Sequence, residues 1–135
     1  MKDLKKIRVI TLKQPWASLV ASGLKVYEFR NMNYSYRGKI LIHAGKGIDK
    51  DAMERVKEYN LEYPQSKILA EVEIVDCIEI DDNFNKFINE MNSPIYGKKH
   101  RTGYAWKLEN VRKLNYNSVI NGKQGIWYLD NNQIK

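Results

Sequence analysis

Gln14-Pro15-Trp16-Ala17-Ser18-Leu19-Val20-Ala21-Ser22-Gly23-Leu24-Lys25-Val26-Tyr27-Glu28-Phe29-Arg30 is the stretch whose reading decides the fold. Its two halves have different periods. Trp16, Leu19 and Val20 recur at three and four residues, the spacing of one helical face. Pro15 stands in the first helical turn, where its missing N–H is no loss. Gly23 stands where a helix ends in the left-handed conformation. Beyond it, Val26 to Arg30 are β-prone residues with charges interleaved, so a strand follows the helix at once. The junction carries Lys25, Glu28 and Arg30, two cations and an anion within six residues of one another. Glu28 and Arg30 share a strand face. Lys25 has the opposite parity to Glu28, but it lies at the irregular start of the strand and can curl back.

Outward from this stretch, the chain alternates strands and helices. Ile7 to Leu12 reads as a strand before it. Asn31 to Gly38 is a loop rich in Asn, Tyr and Ser, and Lys39 to Ala44 is an apolar strand buried on both faces apart from His43, punctuated by Gly45 and Gly47. Asp49 is placed to cap a helix through about Tyr59, with Ala52, Met53 and Val56 as its stripe. Ile68 to Ile80 is the clearest strand: its even positions are apolar except Asp76, and its length predicts a bend or bulge at Asp76-Cys77. Asp81 or Asp82 starts a helix with Phe84, Phe87, Ile88 and Met91 at helical spacing. An irregular loop from Asn92 to Gly103 contains Lys98-Lys99-His100-Arg101. Tyr104 to Val111 and Gln124 to Leu129 are the last strands, and the polar end is expected to fray. The pattern predicts one α+β domain over residues 1–135, a small mixed β-barrel of five or more strands with about three helices.

Composition bounds the function classes. The hydrophobic share of 43% and charged share of 29% fit a soluble globular chain. No apolar run is long enough to span a bilayer, and no apolar signal core follows the basic start, so no membrane partner and a cytoplasmic location are expected. Cys77 alone excludes an internal disulfide framework. Two histidines and one cysteine at unrelated spacings make no metal site, and Gly45-Lys46-Gly47 lacks the spacing of a phosphate-binding loop. No cofactor is expected. The net charge of +7 favours a polyanionic partner, nucleic acid first.

The octamer Gly23-Leu24-Lys25-Val26-Tyr27-Glu28-Phe29-Arg30 resembles the Gly-x-Lys-x-x-Glu-x-Arg signature of ASCH domains, in the PUA-like superfamily. Gln14-Pro15-Trp16-Ala17 before it, Tyr36 to Ala44 after it, Val75-Asp76-Cys77, Tyr104 to Asn110 and Gly122 to Trp127 resemble the subgroup that includes the ASCH domain of a human transcription coactivator. The likeness runs over roughly residues 7–130. It implies a PUA-like barrel with a cleft lined by the signature, and a role around RNA or other nucleic acid. Activity in the family is uneven. Some small members hydrolyse the amide of N4-acylated cytidine; others have been described as ribonucleases or nucleic-acid binders. In the amidohydrolase type the signature lysine is catalytic and matches Lys25. The threonine nucleophile's place is held here by Glu28, and the further catalytic glutamate has no matching position.

These residues admit two kinds of role. Lys25 can act as a general base if its pKa falls from about 10.4 toward neutrality, or as a donor with no shift. Glu28 can orient Lys25, accept from a nucleobase amine, or pair structurally with Lys25 or Arg30 to pin the barrel. Trp16, Trp106, Tyr104 and Trp127 are the aromatic stock for stacking on a base, with Trp106 the preferred cleft residue; Trp16, in its helical stripe, and Trp127 read as core rather than platform. His43 ends a buried strand, beneath the cleft. Lys98, Lys99 and Arg101 form a compact basic loop suited to phosphates or simply to water. Cys77, among acidic residues, reads as structural. Three functions stay open: capture of RNA or a modified nucleoside, hydrolysis of a small amide on a cytosine-like base, and protein interaction through a vestigial cleft.

Overall fold

The computed structural model describes residues 6–130; the basic start and the polar end lie outside the described residues. Strand β1 (Lys6–Gln14) leads into helix α1 (Trp16–Ala21), then strand β2 (Tyr27–Arg30) and strand β3 (Gly38–Ile48). Helix α2 (Lys50–Arg55) ends in a 3-10 turn (Lys57–Tyr59). Strand β4 (Lys67–Glu79), helix α3 (Asp82–Glu90), strand β5 (Tyr104–Lys113) and strand β6 (Ile126–Asp130) complete the order. The six strands form one sheet in the order β2-β5-β4-β3-β1-β6. β1 and β3 run parallel, because α1 and β2 carry the chain across between them; every other pair is antiparallel.

The sheet curls around α1. This six-residue helix is about 9 Å long, yet it touches β1, β3, β4 and β5. Flat strands about 4.8 Å apart would spread these four over more than its length. The main core fills the concave face: Ile10 and Leu12, Ile40, Ile42 and Ala44, Val72 and Ile74, Trp106 and Leu108, with Ala17 and Val20 of α1. A second core under α3 joins Leu19, Tyr27, Ile80, Phe84, Ile88 and Ala105, and a third joins Val9, Leu41, Ile68, Trp127 and Leu129. β3 over residues 40–45 and β5 at Ala105 and Trp106 are therefore buried on both faces.

Local chemistry sets the element ends. The Gln14 side chain is fully buried; its Oε1 accepts from the Ser18 amide at 3.0 Å and its Nε2 donates to Ser18 Oγ at 2.9 Å. It thereby satisfies a first-turn amide of α1 that the helix cannot satisfy itself. Pro15 takes the N-cap position after a cis peptide bond. Gly23 has φ +82, the left-handed stop expected of it. Asp49 and Asp81 cap α2 and α3 by accepting from Ala52 N at 3.0 Å and Phe84 N at 2.8 Å. Opposite β5, the register of β4 slips between Ile74 and Asp76, where the bend was expected.

Two expectations are corrected. β3 does not stop at Ala44 but continues through Gly45 and Gly47 to Ile48, because β1 keeps pairing with it as far as Gln14. A Cβ on Gly45 would lie 2.8 Å from Thr11 Cγ2, so here glycine lets two strands approach closely. The helix from Asp49 reaches Tyr59 only as a tightened 3-10 end, closed by Asn60 in the left-handed region.

Candidate functional site

The helix–strand junction forms the floor of a cleft. The Lys25 ammonium folds back toward the strand, as its place at the irregular start allows, and lies 3.0 Å from Glu28 Oε1. It also donates to the Tyr27 carbonyl. The other Glu28 oxygen accepts from Arg30 Nη1 at 3.2 Å, so one carboxylate bridges two cations. Exposure rises along this chain: the side chains of Lys25, Glu28 and Arg30 are 3%, 11% and 29% exposed. Three rings surround the ammonium, those of Phe29, Trp16 and Tyr96 at 5.3, 5.4 and 5.9 Å. Burial pulls the Lys25 pKa below the ordinary lysine value; Glu28 opposes this, and the charges of Arg101 and Arg30 add to it.

The first cleft, about 750 Å³, opens above this floor. Trp16 and Phe29 wall one part of it, and the 99–102 segment walls another. That segment is held from α3. Asn85 accepts from the Arg101 amide at 2.8 Å and donates to its carbonyl at 2.9 Å. One turn on, Asn89 does the same for Lys99, both at 3.2 Å. The Arg101 guanidinium donates to the Tyr96 carbonyl and lies 4.8 Å from the Phe29 ring centre. Gly103, at φ +93, allows the loop to close onto β2: a Cβ there would lie 2.7 Å from the Arg30 carbonyl oxygen.

A second cleft of equal size shares Trp16, Glu28 and Arg30 with the first and runs between the ends of β1 and β3 and the 121–125 segment. His43 lies in its floor. Trp127 Nε1 donates to Thr11 Oγ1 at 2.8 Å, and Thr11 Oγ1 lies 3.0 Å from His43 Nδ1. His43 Nε2 lies 2.6 Å from the Ile120 carbonyl. The carbonyl only accepts, so Nε2 carries the proton and Nδ1 accepts from the Thr11 hydroxyl. Burial lowers the His43 pKa, partly offset by the Ile120 bond.

The structure thus brings Trp16, Lys25, Glu28, Arg30, His43, Lys99 and Arg101 to two joined clefts. It separates three other expected residues. Trp106, the preferred stacking residue, is 1% exposed and belongs to the main core; Tyr34 stacks on it with ring centres 4.9 Å apart, and its Nε1 donates to the Met32 carbonyl at 3.0 Å. Tyr104 packs against the same core and lines neither cleft, and Lys98 is exposed and lines neither. The bare alternation of β5 could not reveal this, because both of its faces are covered at Ala105 and Trp106. Arg101 departs from the expected free phosphate ligand in being buried, with its guanidinium on Tyr96 and Phe29. Asn85, Asn89, Tyr96 and the second cleft were missed. Only the four-residue spacing of the two asparagines, placing both on one side of α3, was available as a signal. Among the described residues there is no cluster of three or more His, Cys, Asp or Glu side chains, and no helix is long and apolar enough to cross a membrane.

The family model of the ASCH domain matches residues 10–118. Activating signal cointegrator 1 of Homo sapiens is 26% identical over 136 aligned residues, covering 90% of this chain and 22% of that protein; its Mus musculus counterpart is 24% identical with the same coverage. The chain thus spans about a fifth of the length of these curated relatives. Among solved structures, the ASCH protein of Zymomonas mobilis superposes with a TM-score of 0.58 at 15% identity, covering 95% of this chain and 90% of that one. A point mutant of that protein gives 0.53 at 16% identity, covering 93% and 91%. The architecture is the expected α+β, PUA-like one, with six strands and three α-helices among the described residues.

Proposed function

This chain belongs to the ASCH domain family, and from that premise we propose that it captures RNA, or a modified nucleoside within RNA, in the first cleft. One observation carries this reading: the Lys25 ammonium is enclosed at the bottom of a cleft that is open to solvent. An enclosed ammonium costs desolvation energy, and an apolar side chain of the same length would serve the fold as well or better. A cleft that keeps such a charge has a use for it. In this reading Lys25 donates to a base carbonyl. Glu28 accepts from an exocyclic amine with the lone pairs left over from its two ion pairs. Trp16 stacks on the base, and Arg30 and Lys99 meet its phosphates.

The test is a screen of nucleosides, modified nucleosides and short RNA, read by the change in tryptophan fluorescence, Trp16 being the tryptophan that lines the first cleft. Binding by the wild type that is lost in a folded Lys25→Met variant supports the reading. Binding that survives this substitution overturns it.

One observation favours a second reading, hydrolysis of a small amide on a cytosine-like base. Burial and the neighbouring guanidinium groups lower the Lys25 pKa, the direction a general base requires. Release of acetate from N4-acetylcytidine, absent in Lys25→Met, would select it; binding without turnover would select capture.

A further inference from the structure

The second cleft is electrically unlike the first. Three lysines line it, Lys13 on β1, Lys46 on β3 and Lys123 in the 121–125 segment. All three are exposed, and among the described residues none forms an ion pair. Among the described residues the only carboxylate lining this cleft is Glu28, and both its oxygens are engaged by Lys25 and Arg30. Three uncompensated cations therefore come together from three separate segments.

The surface between them carries little side-chain bulk. Gly45, Gly47, Gly122 and Gly125 line it. At three of these the neighbours leave no room for a Cβ, which would meet Thr11 Cγ2 at 2.8 Å, Lys13 Cγ at 2.9 Å and His43 Cε1 at 2.6 Å. Neighbouring side chains fill the space a Cβ would take, and of the four Gly47 and Gly122 are exposed, so a ligand chain can lie against main chain there with cations on its flanks. The cleft is also continuous with the first through Trp16 and Arg30.

We propose that the second cleft is a phosphodiester track: a single nucleic-acid strand with one base in the first cleft passes Trp16 and Arg30 and lays its backbone along Lys13, Lys46 and Lys123. The proposal rests on the reading of the first cleft as a base site. A single strand is required because a base reaching the enclosed Lys25 has to be splayed out of a helix. The lysines have no planar fork and act as point charges, so the track is indifferent to sequence. Selectivity is left to the first cleft.

The test compares wild type with the triple variant Lys13→Gln, Lys46→Gln, Lys123→Gln. Glutamine retains a polar stem, and all three sites are exposed. The probes are a fluorescein-labelled mixed-sequence RNA of about ten nucleotides and the four ribonucleosides, which carry no phosphate. Each phosphate contact contributes about 0.7 to the log–log salt slope on a single strand, so the variant should lose about 2 units of slope, bind RNA about 100-fold more weakly at about 0.1 M salt, and converge on wild type near 1 M. Nucleoside binding should not change. A control variant with glutamine at Lys39, Lys57 and Lys86, each already paired with a glutamate, has the same net charge and should lose far less.

An unchanged slope in the triple variant, or an equal loss in the control, overturns the track. If wild-type RNA binding survives the triple substitution but not Lys25→Met, the track alone is wrong and the base site stands. If Lys25→Met leaves nucleoside and RNA binding intact, the base site is wrong and the track falls with it.

Discussion

Removing one end or the other of the buried Lys25–Glu28 pair should have unequal consequences for stability. The Glu28 carboxylate touches Lys25 at 3.0 Å and Arg30 at 3.2 Å. Glu28→Gln leaves an enclosed ammonium without an anion, which costs about 3–5 kcal/mol. For a chain of this size that corresponds to a fall in Tm of roughly 10–20 °C. Lys25→Met differs. The lowered pKa of Lys25 means that burial, with the charges of Arg101 and Arg30, penalises its charge by more than Glu28 repays, so removing the charge also removes a penalty. Glu28 keeps Arg30, and the main loss is the bond to the Tyr27 carbonyl, about 1 kcal/mol. Lys25→Met should therefore stay within about 1–2 kcal/mol of wild type. The double variant should regain at least half of the Glu28→Gln loss, since no unpaired ammonium remains. The pH dependence carries the same sign. A lysine depressed in the folded state binds its proton more weakly there than in the unfolded chain, so wild type should gain stability relative to Lys25→Met as pH rises toward about 10.4, the unfolded value. Thermal unfolding of the four proteins across pH, with ligand binding measured on the folded fraction, makes the comparison. A Lys25→Met loss as large as that of Glu28→Gln, not recovered in the double variant, would refute the reasoning. It would make the pair a clamp for the fold.

Three further outcomes are expected. Gly23→Ala should lower stability by about 1 kcal/mol, visible in denaturant melts; a Cβ there meets nothing within 4 Å, so the cost is that of φ +82 alone, and an unchanged midpoint would deny it. His43 is held neutral by burial, so as pH falls below about 6.5 the unfolded chain gains a proton that the folded chain resists, and stability should drop; the drop should shrink in a His43→Gln variant. Lys99 lines the first cleft and Lys98 does not, so Lys99→Glu should weaken nucleotide and RNA binding alike, whereas Lys98→Glu should reduce only the salt-dependent part of RNA binding; equal effects would place the two lysines in one environment.

Much of the fold follows from local chemistry, and local chemistry is written in sequence. The α1–β2 junction is legible because a change of period, a proline and a glycine all fall within one stretch. The stop at Gly23, the caps at Asp49 and Asp81 and the bend of β4 near Asp76 depend on neighbours within a few residues. The Lys25–Glu28–Arg30 chain belongs to this class too, since its members stand two and three residues apart. Tertiary structure decided what alternation cannot encode. Trp106 and Ala105 point to opposite faces of β5, yet both are buried, in different cores, so parity could not say which face met water. Asn85 and Asn89 draw the 99–102 segment onto the cleft from α3, across a separation of up to sixteen residues. Lys13, Lys46 and Lys123 come together because β1 and β3 pair in parallel and the 121–125 segment closes over His43. Charges spread over more than a hundred residues of chain carry no mutual signal until the sheet curls and sets them at one opening.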